Sequence, residues 1–182
     1  MKVISKPECG EWLKANIRSD FTTEKVEEEY PYGVAYRLPS DTGKKTALGR
    51  TLVGLLQVRS PALFWITATG IWPTSENIAL FDGYRKFFGE NRSLHDAPGH
   101  VFSGSDLTQV ECLLDLALYF YWDSVLFEVP PGIAVKTSHD EYIWVSARSR
   151  DRLSEIERAL IDFELEELNR SSAGGSGLAS RS

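Results

Sequence analysis

The stretch that decides the fold is SVLFEVPPGIAVKTSHDEYIWVSA, residues 124–147. It holds three runs of β-branched and aromatic residues, which are separated by a Pro-Gly pair and by a polar segment. Such runs favour strands, and Pro-Gly suits the central positions of a type II turn. The stretch therefore predicts a three-stranded antiparallel meander. If all four residues of Ser138–Glu141 form its second turn, Thr137 faces Tyr142.

The sequence around this meander alternates between helical and strand patterns. The patterns predict helices over residues 6–18, 46–58, 74–88, 103–122 and 151–170, and strands over residues 34–38 and 62–72. Nearly every residue from Leu113 to Trp122 is apolar, which predicts a buried central helix. Leu153, Ile156 and Leu160 lie opposite a charged face, which predicts an amphipathic C-terminal helix. We therefore expect an α+β domain with a mostly antiparallel sheet of four or five strands.

The length of 182 residues suits a single domain with its own core. We expect this domain to span residues 1–170, with a helix and an acidic linker in residues 1–32. Residues 171–182 are rich in Gly and Ser and offer little to bury, so this tail is expected to be disordered.

Charge and apolar content limit the class of partner. The formal net charge is −6, whereas a nucleic-acid surface needs clustered Lys and Arg, so nucleic acid is not expected as a partner. An acidic balance suits a free cytosolic protein or one with a basic protein partner. The longest apolar run, residues 62–72, is far shorter than a membrane-spanning helix. Since the N-terminal residues lack a secretory pattern and the two cysteines lack a pairing signature, a cytoplasmic location is predicted.

Common motifs of phosphate-binding loops, serine hydrolases and zinc proteases do not occur in the sequence. Two clusters of candidate ligands remain. They are His95, Asp96 and His100 in a loop predicted over residues 90–104, and His139, Asp140 and Glu141 in the second turn of the meander. A hydrolytic metal site needs about three such ligands and an open position for water. If loop and turn approach each other, the three histidines hold a divalent metal; otherwise both clusters are ordinary loop residues without a cofactor.

Asp123 ends the apolar run just before the meander. Its carboxylate would face the negative end of a helix, which is unfavourable without a partner. We expect it to shape the turn between helix and strand, or to pair with an arginine or a histidine. A role as general acid or base would require a partner within hydrogen-bond reach.

The acidic segment EKVEEEYPY, residues 24–32, is a candidate surface for a basic partner. Its carboxylates would speed the encounter and its tyrosines would anchor the complex. The alternative is a solvated linker. The candidate residues are Glu27, Glu28, Glu29, Tyr30 and Tyr32, and the C-terminal helix offers Glu155, Glu157, Glu164, Glu166 and Glu167 in the same way.

Three short motifs resemble, in their order and spacing, a pattern found in small bacterial proteins. The motifs are APGHVF at 97–102, WDSVLF at 122–127 and SHDEYI at 138–143, and the resemblance covers residues 64–146. It implies that His100, Asp123, His139 and Asp140 belong to one framework, either a structural network or a site. The pattern carries no established activity, so the resemblance implies none.

Three hypotheses for the function follow. The first is a soluble, bacterial-type binding protein, in its narrower form an immunity-like or antitoxin-like protein that masks a basic active site. The second is a small metal-dependent hydrolase in which the three histidines are ligands and a neighbouring carboxylate orients water. The third is a non-catalytic structural protein. The spatial relation of the two histidine clusters separates the second hypothesis from the others.

Overall fold

The structure is a computed structural model that describes residues 1–56, 61–69, 75–129 and 132–168. The strands are β1 Lys2–Ile4, β2 Tyr32–Arg37, β3 Ala62–Ala68, β4 Gly99–Phe102, β5 Asp123–Glu128, β6 Ile133–Ser138 and β7 Tyr142–Ala147. The helices are α1 Lys6–Asn16, α2 Val26–Glu29, α3 Thr42–Gly54, α4 Ser75–Phe87, α5 Leu107–Tyr119 and α6 Arg150–Leu160. The predicted disordered tail and the prolines of the first meander turn lie outside the described residues.

One antiparallel sheet of seven strands, in the order β1-β4-β3-β5-β6-β7-β2, organises the fold. The α+β class is confirmed, but the expected count of four or five strands is too low. The two strands that were not predicted are β1 and β4, and β4 lies in the segment expected to be a loop. They have only three and four residues, and such short strands depend on the neighbours with which they pair more than on their own residue pattern.

The predicted meander is confirmed as β5, β6 and β7. Its second turn is one residue shorter than expected, because Ser138 joins the strand and pairs with Tyr142. The predicted pairing of Thr137 with Tyr142 is therefore wrong, and Thr137 pairs with Ile143. The shorter turn is possible because Glu141 has φ 64°, the left-handed conformation that closes three-residue hairpin loops.

The larger of two hydrophobic cores lies between the sheet and helices α3, α4, α5 and α6. The central helix α5 buries Leu113, Leu114 and Leu118, as predicted, although it ends at Tyr119. The amphipathic pattern of α6 is also confirmed, since its three periodic apolar residues are buried.

The smaller core lies on the opposite face of the sheet, under α1 and the segment that follows it. Phe21 and Tyr30 pack against Phe127, with ring centroids 5.5 and 6.2 Å apart. The prediction of an acidic linker is therefore wrong for this segment. Its residues form a short 3-10 turn and α2, because Val26 and Tyr30 bury their side chains in this core.

Candidate functional site

Asp123 and His139 make direct contact across neighbouring strands. Asp123 begins β5 and His139 follows the last residue of β6, and the pairing of Ser124 with Thr137 brings the two together. One Asp123 oxygen accepts a hydrogen bond from the His139 backbone N–H at 2.8 Å. The imidazole Nδ1 lies 2.9 and 3.0 Å from the two carboxylate oxygens. A single carboxylate therefore holds both the backbone and the ring of His139.

This contact favours the protonated imidazole. The hydrogen bond and then the charge of Asp123 raise the pKa of His139 above its usual value, and the charge of Asp140 adds to the effect. Solvent still reaches the pair, since the His139 side chain is 36% exposed and that of Asp123 is 22% exposed. A metal ligand must be a neutral imidazole, and with Nδ1 held by Asp123 only Nε2 of His139 would be open to a ligand.

Further hydrogen bonds fix the turn that carries His139. Ser138 Oγ accepts from the Asp140 backbone N–H at 3.2 Å, and Leu38 N–H donates to the carbonyl of Glu141 at 2.8 Å. The left-handed backbone of Glu141 is unfavourable for a residue with a side chain, so the surrounding bonds must hold it. These contacts support the interpretation of His139, Asp140 and Glu141 as residues that set loop geometry.

The three histidines do not converge. His95 and Asp96 are exposed in the loop before β4, where Ser93 Oγ donates to Asp96 at 2.6 Å and closes a local turn. His100 lies within the sheet, and His139 lies at the β6–β7 turn. Within the described residues, no group of three or more His, Cys, Asp or Glu side chains could hold a metal ion.

His100 is a core residue, which corrects its expected position in a loop. It pairs with Phe64 of β3 and is fully buried, with its ring centroid 6.0 Å from that of Phe64 and 5.8 Å from that of Phe81. Burial lowers the pKa of His100 to about 3, and the charge of Arg85 lowers it as well. The ring is therefore neutral at physiological pH and serves packing.

The candidate surface of residues 27–32 lacks the aromatic anchors expected of it. Glu27 and Glu28 are exposed, but Glu29 is buried and forms an ion pair with an arginine. Tyr30 is fully buried and Tyr32 is half-buried beneath a second arginine. Of the five candidate residues, only Glu27 and Glu28 are exposed to a partner.

A more strongly charged surface lies on α6 and the segment after it. Residues 151–168, called the acidic surface below, contain seven carboxylates and two arginines, a net charge of −5. Ile161, 70% exposed, lies within it. After α6 the chain returns to the sheet, where Arg37 N–H donates to the Glu166 carbonyl at 2.9 Å. The glutamates were visible in the sequence, but this long-range return, which collects them beside β2, was not.

A second exposed surface, on α4, was not predicted. Leu80, Phe87 and Phe88 are 56%, 82% and 39% exposed. Phe81 of α4 is buried in the core, yet the segment has more apolar residues than its buried side can cover. This excess of apolar residues is the feature of the sequence from which the exposed surface could have been predicted. Leu80, Gly83, Phe87 and Phe88 are called the α4 surface below.

Comparisons with known proteins do not identify the chain. No protein-family model matches the chain, and no curated protein or solved structure matches it. Within the described residues, no helix is long and apolar enough to cross a membrane. The function is therefore argued from the surfaces themselves.

Proposed function

We propose that the chain is a non-enzymatic binding protein whose acidic surface covers a basic surface of a partner protein. The observation that carries this proposal is the concentration of charge, because the acidic surface holds −5 of the formal net charge of −6. Concentrated charge of one sign attracts a partner of opposite sign and speeds the encounter. If the partner's basic surface is an active site, binding blocks it, and the chain acts in an immunity-like or antitoxin-like way.

Most carboxylates of the acidic surface remain available to a partner. Arg152 pairs with Glu155, and Arg37 pairs with Glu166 at 3.0 Å. Within the described part of the chain, the other five carboxylates lie in no ion pair with a lysine or arginine. A cationic partner would therefore supply new pairs and would not have to break existing ones.

Tyr36 of β2 lies close to carboxylates of the acidic surface. Its hydroxyl has a pKa raised first by burial and then by the charges of Glu157 and Glu167. Glu167 also pairs with Tyr36 in an isolated β-bridge, which brings its charge to the edge of β2. Carboxylates of the acidic surface therefore lie beside the edge strand β2 as well as on α6.

Ile161 gives the acidic surface an exposed apolar side chain. The buried side of α6 already provides Leu153, Ile156 and Leu160 to the core, while Ile161 is 70% exposed. Interfaces place an apolar anchor at the centre and charged residues at the rim. An exposed isoleucine among carboxylates matches that arrangement.

Metal-dependent hydrolysis has less support, since within the described residues the three histidines lie apart and no three ligand side chains come together. The Asp–His pair could orient a base. Within the described residues, however, the second ring nitrogen of His139 has no hydroxyl or thiol as a hydrogen-bond partner. The pair is assigned to the geometry of the turn.

The proposal is tested by placing a photo-crosslinking amino acid at position 161 of the full chain, expressed in the cells from which the chain comes. The control carries the same amino acid in place of Glu11, an exposed residue of α1 on the opposite face of the sheet. We expect one basic protein to be crosslinked reproducibly from position 161 and not from position 11.

A matched pair of charge variants then tests the cause. Glu157→Gln with Asp162→Asn removes two carboxylates of the acidic surface, and Glu11→Gln with Glu27→Gln removes two elsewhere. The first variant should reduce capture and the second should not. Failure to capture a basic protein, or equal capture by both variants, would overturn the proposal.

A further inference from the structure

We infer that the α4 surface is the interface of a weak symmetric dimer, in which two copies of the chain pack their α4 helices antiparallel. This inference is independent of the acidic surface and of the partner proposed for it. It rests on the exposed apolar area of α4, on an otherwise unexplained glycine at the centre of that area, and on the distribution of charge.

The exposed apolar area suits a weak complex. Phe87 is 82% exposed, and its ring lies 5.0 Å from that of Phe88 in an edge-to-face arrangement. With the exposed part of Leu80, these side chains present on the order of 300 Å² per copy. Patches of this size on a monomer are often functional. Two such patches would bury about 600 Å² of apolar surface, and the polar surface around them would be buried as well. The total stays below about 1,200 Å², which is the size range of weak complexes.

Gly83 leaves room for another helix to approach α4 closely. It lies inside α4, where a glycine destabilises a helix by about 1 kcal/mol relative to alanine. A Cβ added at Gly83 would meet nothing within 4 Å, so packing inside one copy does not explain the glycine. In an antiparallel pair with its two-fold axis near Gly83, Leu80 of one copy faces Phe87 of the other. The missing side chain then allows the two backbones to approach.

The charge distribution favours a second copy as the occupant. Asp82 and Arg85 pair with each other at 3.2 Å, which leaves Lys86 as the exposed charge among the described side chains of α4. The acidic surface lies on α6, which packs on β7 and β2 at one edge of the sheet, whereas Phe81 of α4 packs on β4 near the other edge. Charges separated by much more than about 8 Å are largely screened at physiological salt. Two copies can therefore meet through α4 without bringing their acidic surfaces together.

Sedimentation velocity of the full chain from about 10 μM to about 1 mM tests this inference. We expect a monomer–dimer equilibrium that persists in 0.5 M sodium chloride. Phe87→Ser should weaken the dimer at least tenfold, because it removes an exposed ring without touching the core. Ile161→Ser is the control and should leave the dimer unchanged, since it removes another strongly exposed apolar side chain, 70% against 82% for Phe87, from outside the α4 surface.

Gly83→Leu gives a second, independent readout. Its side chain enters open space in one copy, so the variant should fold with an unchanged or higher melting temperature. The same side chain lies at the two-fold axis and should abolish the dimer. A chain that stays monomeric at about 1 mM, or a dimer indifferent to both Phe87→Ser and Gly83→Leu, would overturn the assignment of a second copy to this surface.

Discussion

The contact between Asp123 and His139 predicts a coupling that depends on pH. Asp123→Asn removes the charge but keeps an oxygen that accepts the His139 backbone N–H, and His139→Gln removes the ring. Comparing wild type, both single variants and the double variant isolates the interaction between charge and imidazole. The variants leave the sheet and both cores untouched, so each should fold.

The partial exposure of the pair sets the magnitude. Ion pairs in full contact with solvent contribute about 0.2–1 kcal/mol, and hydrogen bonds to charged groups contribute roughly 1.5–3 kcal/mol before screening. With side chains 36% and 22% exposed, solvent screens most of the larger value. We expect a coupling of about 0.5–1 kcal/mol, which for a chain of this size is roughly 1–4 °C in melting temperature.

The sign of the pH dependence follows from the raised pKa of His139. Its folded-state pKa lies above the unfolded value of about 6.5, so the stabilisation is complete below about pH 6.5. It is lost as the pH rises through the folded-state pKa. Urea unfolding of the four proteins at pH 5.5 and pH 9 measures this. A coupling that is absent at pH 5.5, or equally large at pH 9, would refute the reasoning.

Three further predictions concern the core and the histidines. Leu114→Ala should lower the free energy of unfolding by about 2–5 kcal/mol in urea denaturation, and Leu116→Ala by less, because Leu114 is fully buried and Leu116 only half-buried. Gly99→Ala should destabilise the chain by roughly 1–3 kcal/mol on the same measure, since its Cβ would collide with the buried side chains of Cys9 and Ile4 in the smaller core. Zn²⁺, Mn²⁺, Mg²⁺, Ca²⁺ and Ni²⁺ should each leave the melting temperature of chelator-treated protein within about 1 °C, because the three histidines lie apart. A shift of roughly 5–10 °C that disappears in His139→Ala would instead support the hydrolase.

The parts of the fold that could be predicted are those with a strong local pattern. The meander has three runs of strand-forming residues, and α6 has three apolar residues at helical spacing, so both follow from the sequence. The register of β6 with β7 could not be predicted. It depends on the left-handed conformation of Glu141, which the residue type does not favour.

The candidate site shows the same limit. Asp123 and His139 could each be selected by residue type, and a histidine was among the expected partners of Asp123, but their contact requires the pairing of β5 with β6. His100 and Tyr30 were misplaced because tertiary packing buries them, one within the short strand β4 and the other directly after the short helix α2, and both segments resemble loops in sequence. Predicting the acidic surface would have required the return of residues 166–168 to β2, which is a contact between residues more than a hundred positions apart.

The affinity of the captured basic protein, measured by calorimetry at 50 and 300 mM salt, tests the central claim most directly. If the acidic surface forms the interface, Glu157→Gln with Asp162→Asn should weaken binding by roughly 3- to 10-fold at the lower salt concentration. Wild-type binding should weaken at the higher salt concentration, and the matched variant Glu11→Gln with Glu27→Gln should bind like wild type. An affinity that changes neither with salt nor with the two acidic-surface substitutions would contradict the account.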